Sequence, residues 1–233
     1  MKQNILFVAM ALVATSLLAA DSTPQDAVKD AAKSLGAKDN YSWKTTIEFG
    51  GDTVGTIAGK TEKGGATFLA MSRGDNGMDA VLKGDKGVLK LDEGWKTVSE
   101  VAGDSTQQGA PRMVARMLQA FKAPAAEAAD LAGKTKELKS ADGVYSGDLT
   151  VEAVKEMLQF GRRGSGTTPE VAGAKGSVKF WLKDGSLAKY EYNVQGTVTV
   201  NGNDRDVNRK NAVEIKDVGT TKVTVPEEAA KKL

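Results

Sequence analysis

Between Tyr41 and Glu100, and again between Lys175 and Val225, the chain repeats a short run rich in β-branched and aromatic residues closed by a glycine turn. The turns read Gly50-Gly51-Asp52, Lys63-Gly64-Gly65, Gly74-Asp75-Asn76-Gly77, Gly84-Asp85-Lys86-Gly87, Asp92-Glu93-Gly94, Lys183-Asp184-Gly185-Ser186 and Asn201-Gly202-Asn203-Asp204. Gly, Asn and Asp tolerate the positive φ that tight hairpins demand, so these clusters mark where strands reverse. The pattern predicts a large antiparallel sheet, and a sheet favours binding over chemistry.

Alternation says which residues share a face. Tyr41, Trp43, Thr45, Ile47 and Phe49 alternate with Ser42, Lys44, Thr46 and Glu48. Met78, Ala80 and Leu82 form a second such set, and Ala188, Tyr190, Tyr192 and Val194 a third. One apolar and one solvated face is an arrangement that antiparallel sheets tolerate and parallel ones do not. The helical period appears elsewhere. Thr23-Pro24-Gln25-Asp26 reads as a helix start followed by the stripe Ala27, Val28, Ala31, Ala32 and Leu35. Met113, Val114, Met117, Leu118 and Phe121 form another stripe before Pro124. Ala125 to Ala132 predicts a further helix, Leu138 to Leu149 strand, Thr150 the cap of a helix carrying Val151, Val154 and Leu158, Gly161 to Pro169 a flexible loop, and Pro226 the start of a short terminal helix. Strands and helices are segregated along the chain, so the expected class is α+β: a strongly curved antiparallel sheet covered by a few helices.

At the start, Lys2, the apolar stretch Ile5 to Leu18 and the small pair Ala19-Ala20 have the zones of a secretory signal peptide. Residues 1–20 are expected to be removed, leaving 21–233 as a single domain in the periplasm or outside the cell. With 32 basic and 30 acidic residues, no basic stripe emerges to neutralise a phosphate backbone, and nucleic acid is not an expected partner.

The chain contains no cysteine and no histidine. Disulfides, thiolate nucleophiles, serine–histidine catalysis and histidine-built metal centres are therefore excluded. No catalytic residue, metal or cofactor is expected, and the chain is read as a non-enzyme. Arg73-Gly74-Asp75 and the oxygen-rich Asn201 to Asp206 both coincide with hairpin turns, which explain them without a ligand. Met71, Met78, Met113, Met117 and Met157 are placed differently, within the apolar stripes, where methionine's adaptable shape suits either a core or a promiscuous ligand surface.

Two C-terminal stretches, Phe180-Trp181-Leu182-Lys183-Asp184-Gly185-Ser186-Leu187-Ala188-Lys189-Tyr190-Glu191-Tyr192 and Ile215-Lys216-Asp217-Val218-Gly219 running into Val223-Thr224-Val225-Pro226-Glu227-Glu228-Ala229, resemble the bacterial lipoprotein and lipid carriers that include LolA, LolB, LppX and LprG. That resemblance implies a half-barrel closed by helices over an apolar cavity. No lipid-attachment cysteine follows the signal segment, which departs from the membrane-tethered members.

The leading expectation is a carrier that holds a lipid, a lipoprotein acyl chain or another apolar ligand between sheet and helical lid, with a membrane-associated protein as a further partner. The expected ligand-binding wall is Trp43, Ile47, Phe68, Met78, Leu82, Leu89, Leu91, Phe180, Tyr190 and Tyr192, with Met113 and Met117 from the lid. The alternative is a sensor or interaction module of the same fold with a filled core. The same inward stripes serve both.

Overall fold

The structure, a computed structural model, describes residues 23–104, 106, 109–159 and 169–233. The expected signal segment and most of the loop expected over 161–169 lie outside these residues.

The strands form two antiparallel runs, joined by hairpin turns except where α5 separates β8 from β9. The first holds β1 (Asn40–Phe49), β2 (Asp52–Glu62), β3 (Thr67–Arg73), β4 (Asn76–Lys83), β5 (Lys86–Leu91) and β6 (Gly94–Thr97). The second holds β7 (Lys139–Ala141), β8 (Val144–Asp148), β9 (Glu170–Lys183), β10 (Ser186–Val200) and β11 (Asn203–Lys216). Antiparallel pairing of β1 with β11, running from Ser42 opposite Lys216 to Phe49 opposite Arg209, joins them. The result is one open sheet of 11 strands in the order β6-β5-β4-β3-β2-β1-β11-β10-β9-β8-β7. At the β9–β10 and β10–β11 turns, Asp184-Gly185 (φ 51° and 71°) and Asn201-Gly202 (φ 51° and 75°) place two consecutive residues in the left-handed region. That is the backbone of the hairpin turn whose twist matches the strands.

The helices are α1 (Pro24–Ala37), α2 (Val98–Gly103), α3 (Ala110–Gln119), α4 (Pro124–Gly133), α5 (Val151–Gln159) and the single turn α6 (Glu227–Ala230). Thr23 caps α1 by accepting from Asp26 N, and Thr150 Oγ1 accepts from Ala153 N at the start of α5. A reciprocal capping box between Thr97 and Glu100 begins α2, where strand character had been expected up to Glu100. Helices α1 and α5 lie over β9 and β10, while α2 and α3 lie over β5. One buried core nevertheless includes Leu89 of β5, Trp43 of β1 and Phe180 of β9 together with Val28, Ala128 and Val154 from the helices. Strands about 4.8 Å apart can join residues so far along a sheet only if it bends around the helices, which is the expected curved α+β architecture.

The opposite face is not uniformly solvated, which corrects the expectation. Val81, Val88, Trp95 and Ala66 are buried there in a second cluster with Phe68, covered by Val223, Val225, Ala229 and Leu233. The C-terminal tail is tied down by bonds from Val223 N to Glu62 Oε1 (2.9 Å), Thr221 N to Asn40 Oδ1 (2.7 Å) and Lys86 Nζ to the Leu233 carbonyl (2.6 Å). Ala229 is fully buried. Ala229→Glu is expected to detach the tail and cost about 2 kcal/mol, the order of an unpaired buried polar group. Limited proteolysis should then cleave after Lys222 while the sheet stays intact; an unchanged cleavage pattern would contradict this packing.

Candidate ligand site

Inward-facing residues form rows across the sheet, because register places them side by side. One row runs Phe180, Tyr190, Val213, Thr45, Ile57, Met71 and Met78. Phe180, Tyr190 and Val213 are sealed beneath helices, whereas Ile57, Met71 and Met78 are only half-buried. A second row, Ile215, Trp43, Gly59, Leu69, Ala80 and Leu89, lies alongside. Gly59 matters for it: a Cβ there would lie 2.0 Å from Trp43 Cζ2, so the missing side chain lets the indole lie flat across β2. From β1 the indole stacks on Phe121 (centroids 6.3 Å, 20°) and meets Tyr41 at 5.8 Å.

From β10 to β5 there are six strand spacings, about 29 Å. Among the described residues, helices are seated closely at both ends of this interval and none is seated as closely over β1–β4. The half-buried strip Ile57, Met71 and Met78 occupies that interval, and it packs against the same buried core as Val114, Met117 and Phe121 from α3 and the residues after it. Met113 of α3 is exposed to solvent, at 52%.

The twelve residues expected to form a wall therefore separate into groups. Trp43, Leu89, Phe180, Tyr190 and Tyr192 face the helices as buried core. Met78, Leu82, Leu91 and Met117 pack half-buried against that core. Ile47 is half-buried on the same face, in register with Asn211 and Gly55, and Met113 is the exposed rim. Phe68 is a correction. Its neighbours Leu69 and Ala80 face inward, so strand alternation turns Phe68 outward into the cluster beneath the C-terminal tail.

Sequence reasoning did not find the polar group at the β10 end of the first row. Glu127, one turn into α4, accepts hydrogen bonds from the hydroxyls of Tyr190 and Tyr192, the latter at 3.1 Å. Asn211 Nδ2 in turn donates to Tyr192 Oη at 2.6 Å. Burial raises the Glu127 pKa above its ordinary 4.5, against the lowering effect of the two tyrosine bonds and of Arg209 and Lys122. Burial and the adjacent carboxylate push both tyrosines well above the usual phenol value. A carboxyl raised on folding contributes stability that is fully present below its unfolded pKa and lost as pH rises through its folded pKa. Wild-type stability relative to Glu127→Gln is therefore expected to fall as pH rises from about 4.5, with α4 loosening from the sheet. Parallel stability–pH curves for the two proteins would contradict this.

Among the described residues no group of three or more acidic residues could hold a metal ion, and no helix is long and apolar enough to cross a membrane. A surface groove of about 440 Å³ lies elsewhere, over β7–β9, bordered by Lys136, Glu137, Lys139, Ser146, Asp148 and Lys179. Its charged border is unsuited to hydrocarbon.

Several solved structures match the chain. The chain is similar to the crystal structure of LprF from Mycobacterium bovis. The two share 12% identity over 88% of this chain and 97% of that one, with a TM-score of 0.45. No protein-family model matches the sequence, and no curated protein matches it. The fold described above rests on this chain's own strand order and register.

Proposed function

We propose that this protein is a non-enzymatic carrier, exported to the periplasm or beyond by its N-terminal segment, that shelters a lipid, a lipoprotein acyl chain or another apolar molecule on the helix-bearing face of its sheet. The observation that carries this reading is the half-buried strip of Ile57, Met71 and Met78, which shares its core with Met117 of α3 and lies over strands on which no described helix is seated closely. Burying hydrocarbon there contributes about 0.8 kcal/mol per methylene, and methionine's flexible thioether adapts to chains of differing shape. Outward movement of α3 widens the mouth and releases the chain. A membrane-associated donor or acceptor would complete the transfer.

Titration with an environment-sensitive apolar dye tests this reading. A carrier gives saturable fluorescence enhancement that long-chain lipids reverse. The second reading, a partner-binding module with a filled core, draws on the complete burial of Leu89, Phe180 and Tyr190 beneath the helices. It predicts no enhancement and instead a specific protein crosslink.

A further inference from the structure

Two buried atoms on β11, next to the polar group around Glu127, have a chemistry that selects a ligand group. Arg209 and Asn211 stand two residues apart on β11, so their side chains leave the same face about 7 Å apart. They are in register with Val194 and Tyr192 of β10, and Asn211 is also opposite Ile47 of β1. Arg209 Nη2 donates to the Met157 carbonyl in α5 at 3.3 Å, which anchors the guanidinium, yet its Nε is buried without a hydrogen-bond partner among the described residues. Asn211 spends its Nδ2 on Tyr192, and its Oδ1 is likewise buried and unpartnered. Among the described residues no ion pair joins Arg209 to Glu127, although the guanidinium acts electrostatically on that carboxyl. One donor and one acceptor, two residues apart on one strand, thus stand unsatisfied. Leaving both so carries the desolvation penalty of a buried polar group without a partner.

We propose that Arg209 and Asn211 form a subsite for a hydroxyl group on the apolar ligand, such as that of a glycerol or sugar moiety. This rests on the carrier reading and specifies its ligand. A hydroxyl accepts from Arg209 Nε–H and donates to Asn211 Oδ1 at once, so it satisfies both atoms. A carboxylate satisfies only the arginine and turns negative charge toward the Asn211 carbonyl oxygen. An ester or hydrocarbon cannot donate to Asn211. Ile47, on the neighbouring strand, leads from this subsite toward the strip that takes the hydrocarbon.

The test is dye displacement from the full chain by three ligands of one acyl length: a monoacylglycerol, the free fatty acid and its methyl ester. Free glycerol serves as a fourth arm that separates a lipid-borne hydroxyl from a soluble polyol. The expected result is a monoacylglycerol preference over the methyl ester of about tenfold or more, in line with the discrimination of a site built around a polar group, with the fatty acid weaker than the monoacylglycerol and glycerol inactive. In Arg209→Met and Asn211→Leu the preference should shrink to about twofold or less while the methyl ester binds as before. Equal binding of ester and monoacylglycerol by the wild type overturns the subsite but leaves the carrier standing, as does tighter binding of the fatty acid. Displacement by glycerol alone overturns the lipid-borne assignment. Failure of the dye and all three acyl ligands to bind overturns the carrier and the subsite together. The wild-type comparison decides the matter even where a variant does not fold.

Discussion

Gly59→Ala is expected to lower the unfolding free energy by about 3 kcal/mol, the upper end of ordinary overpacking costs, although it adds a single methyl group. The methyl carbon would sit 2.0 Å from the Trp43 ring. The indole cannot retreat freely, because Phe121 stacks on it and Tyr41 lies beside it. The double-mutant cycle makes the claim specific. In a Trp43→Ala background the clash disappears, and alanine at position 59 should be neutral or slightly stabilising, since glycine within a strand is itself unfavourable. Urea unfolding of the four proteins measures the coupling. An equal cost in both backgrounds would mean that the indole does not cross β2, and the seating of the residues after α3 on the sheet would need a different explanation.

Met71→Glu is the second substitution with a large expected effect, this time on binding. Met71 stands between Ile57 and Met78 in register, at the middle of the half-buried strip. A carboxylate there reaches water in the free protein, so the fold should survive with a loss of about 1 kcal/mol. Once hydrocarbon covers the site, the charge must be desolvated without a partner. Affinity for an apolar dye should fall about 100-fold, equivalent to about 2.7 kcal/mol. Met71→Leu, which conserves volume and polarity, should bind within a factor of about three of the wild type. Undiminished binding by Met71→Glu would move the ligand site off the strip.

Much of the architecture could be read from the chain because hairpins announce themselves locally. Asp184-Gly185 and Asn201-Gly202 adopt the positive φ values that their composition suggests, and the alternation in β1 puts Tyr41 and Trp43 in the core. Parity also predicted that Tyr190 and Tyr192 share the inner face. What escaped depends on contacts between residues distant in sequence. The outward face of β3–β6 was expected to be wet because nothing near Phe68, Val81 or Trp95 shows that residues 221–233 return to cover it. Phe68 reads as a wall residue for the same reason: β3 runs Phe68-Leu69-Ala70-Met71, and without a clear alternation its face is set only by pairing with β2 and β4. The polar group was invisible for a related cause. Glu127 lies in an alanine-rich stretch where an acid looks solvated, and its tyrosine partners are more than sixty residues away. A buried acid on a helix opposite tyrosines that face the core is the pairing a sequence could have suggested, once the register was known.

Native mass spectrometry of the protein purified from its own host, followed by lipid extraction, tests the carrier account most directly. The account predicts a mass increment in the folded protein that is released by solvent and yields a hydroxyl-bearing lipid. A single unliganded mass, with no extractable apolar molecule above that of a control protein from the same host, would contradict it.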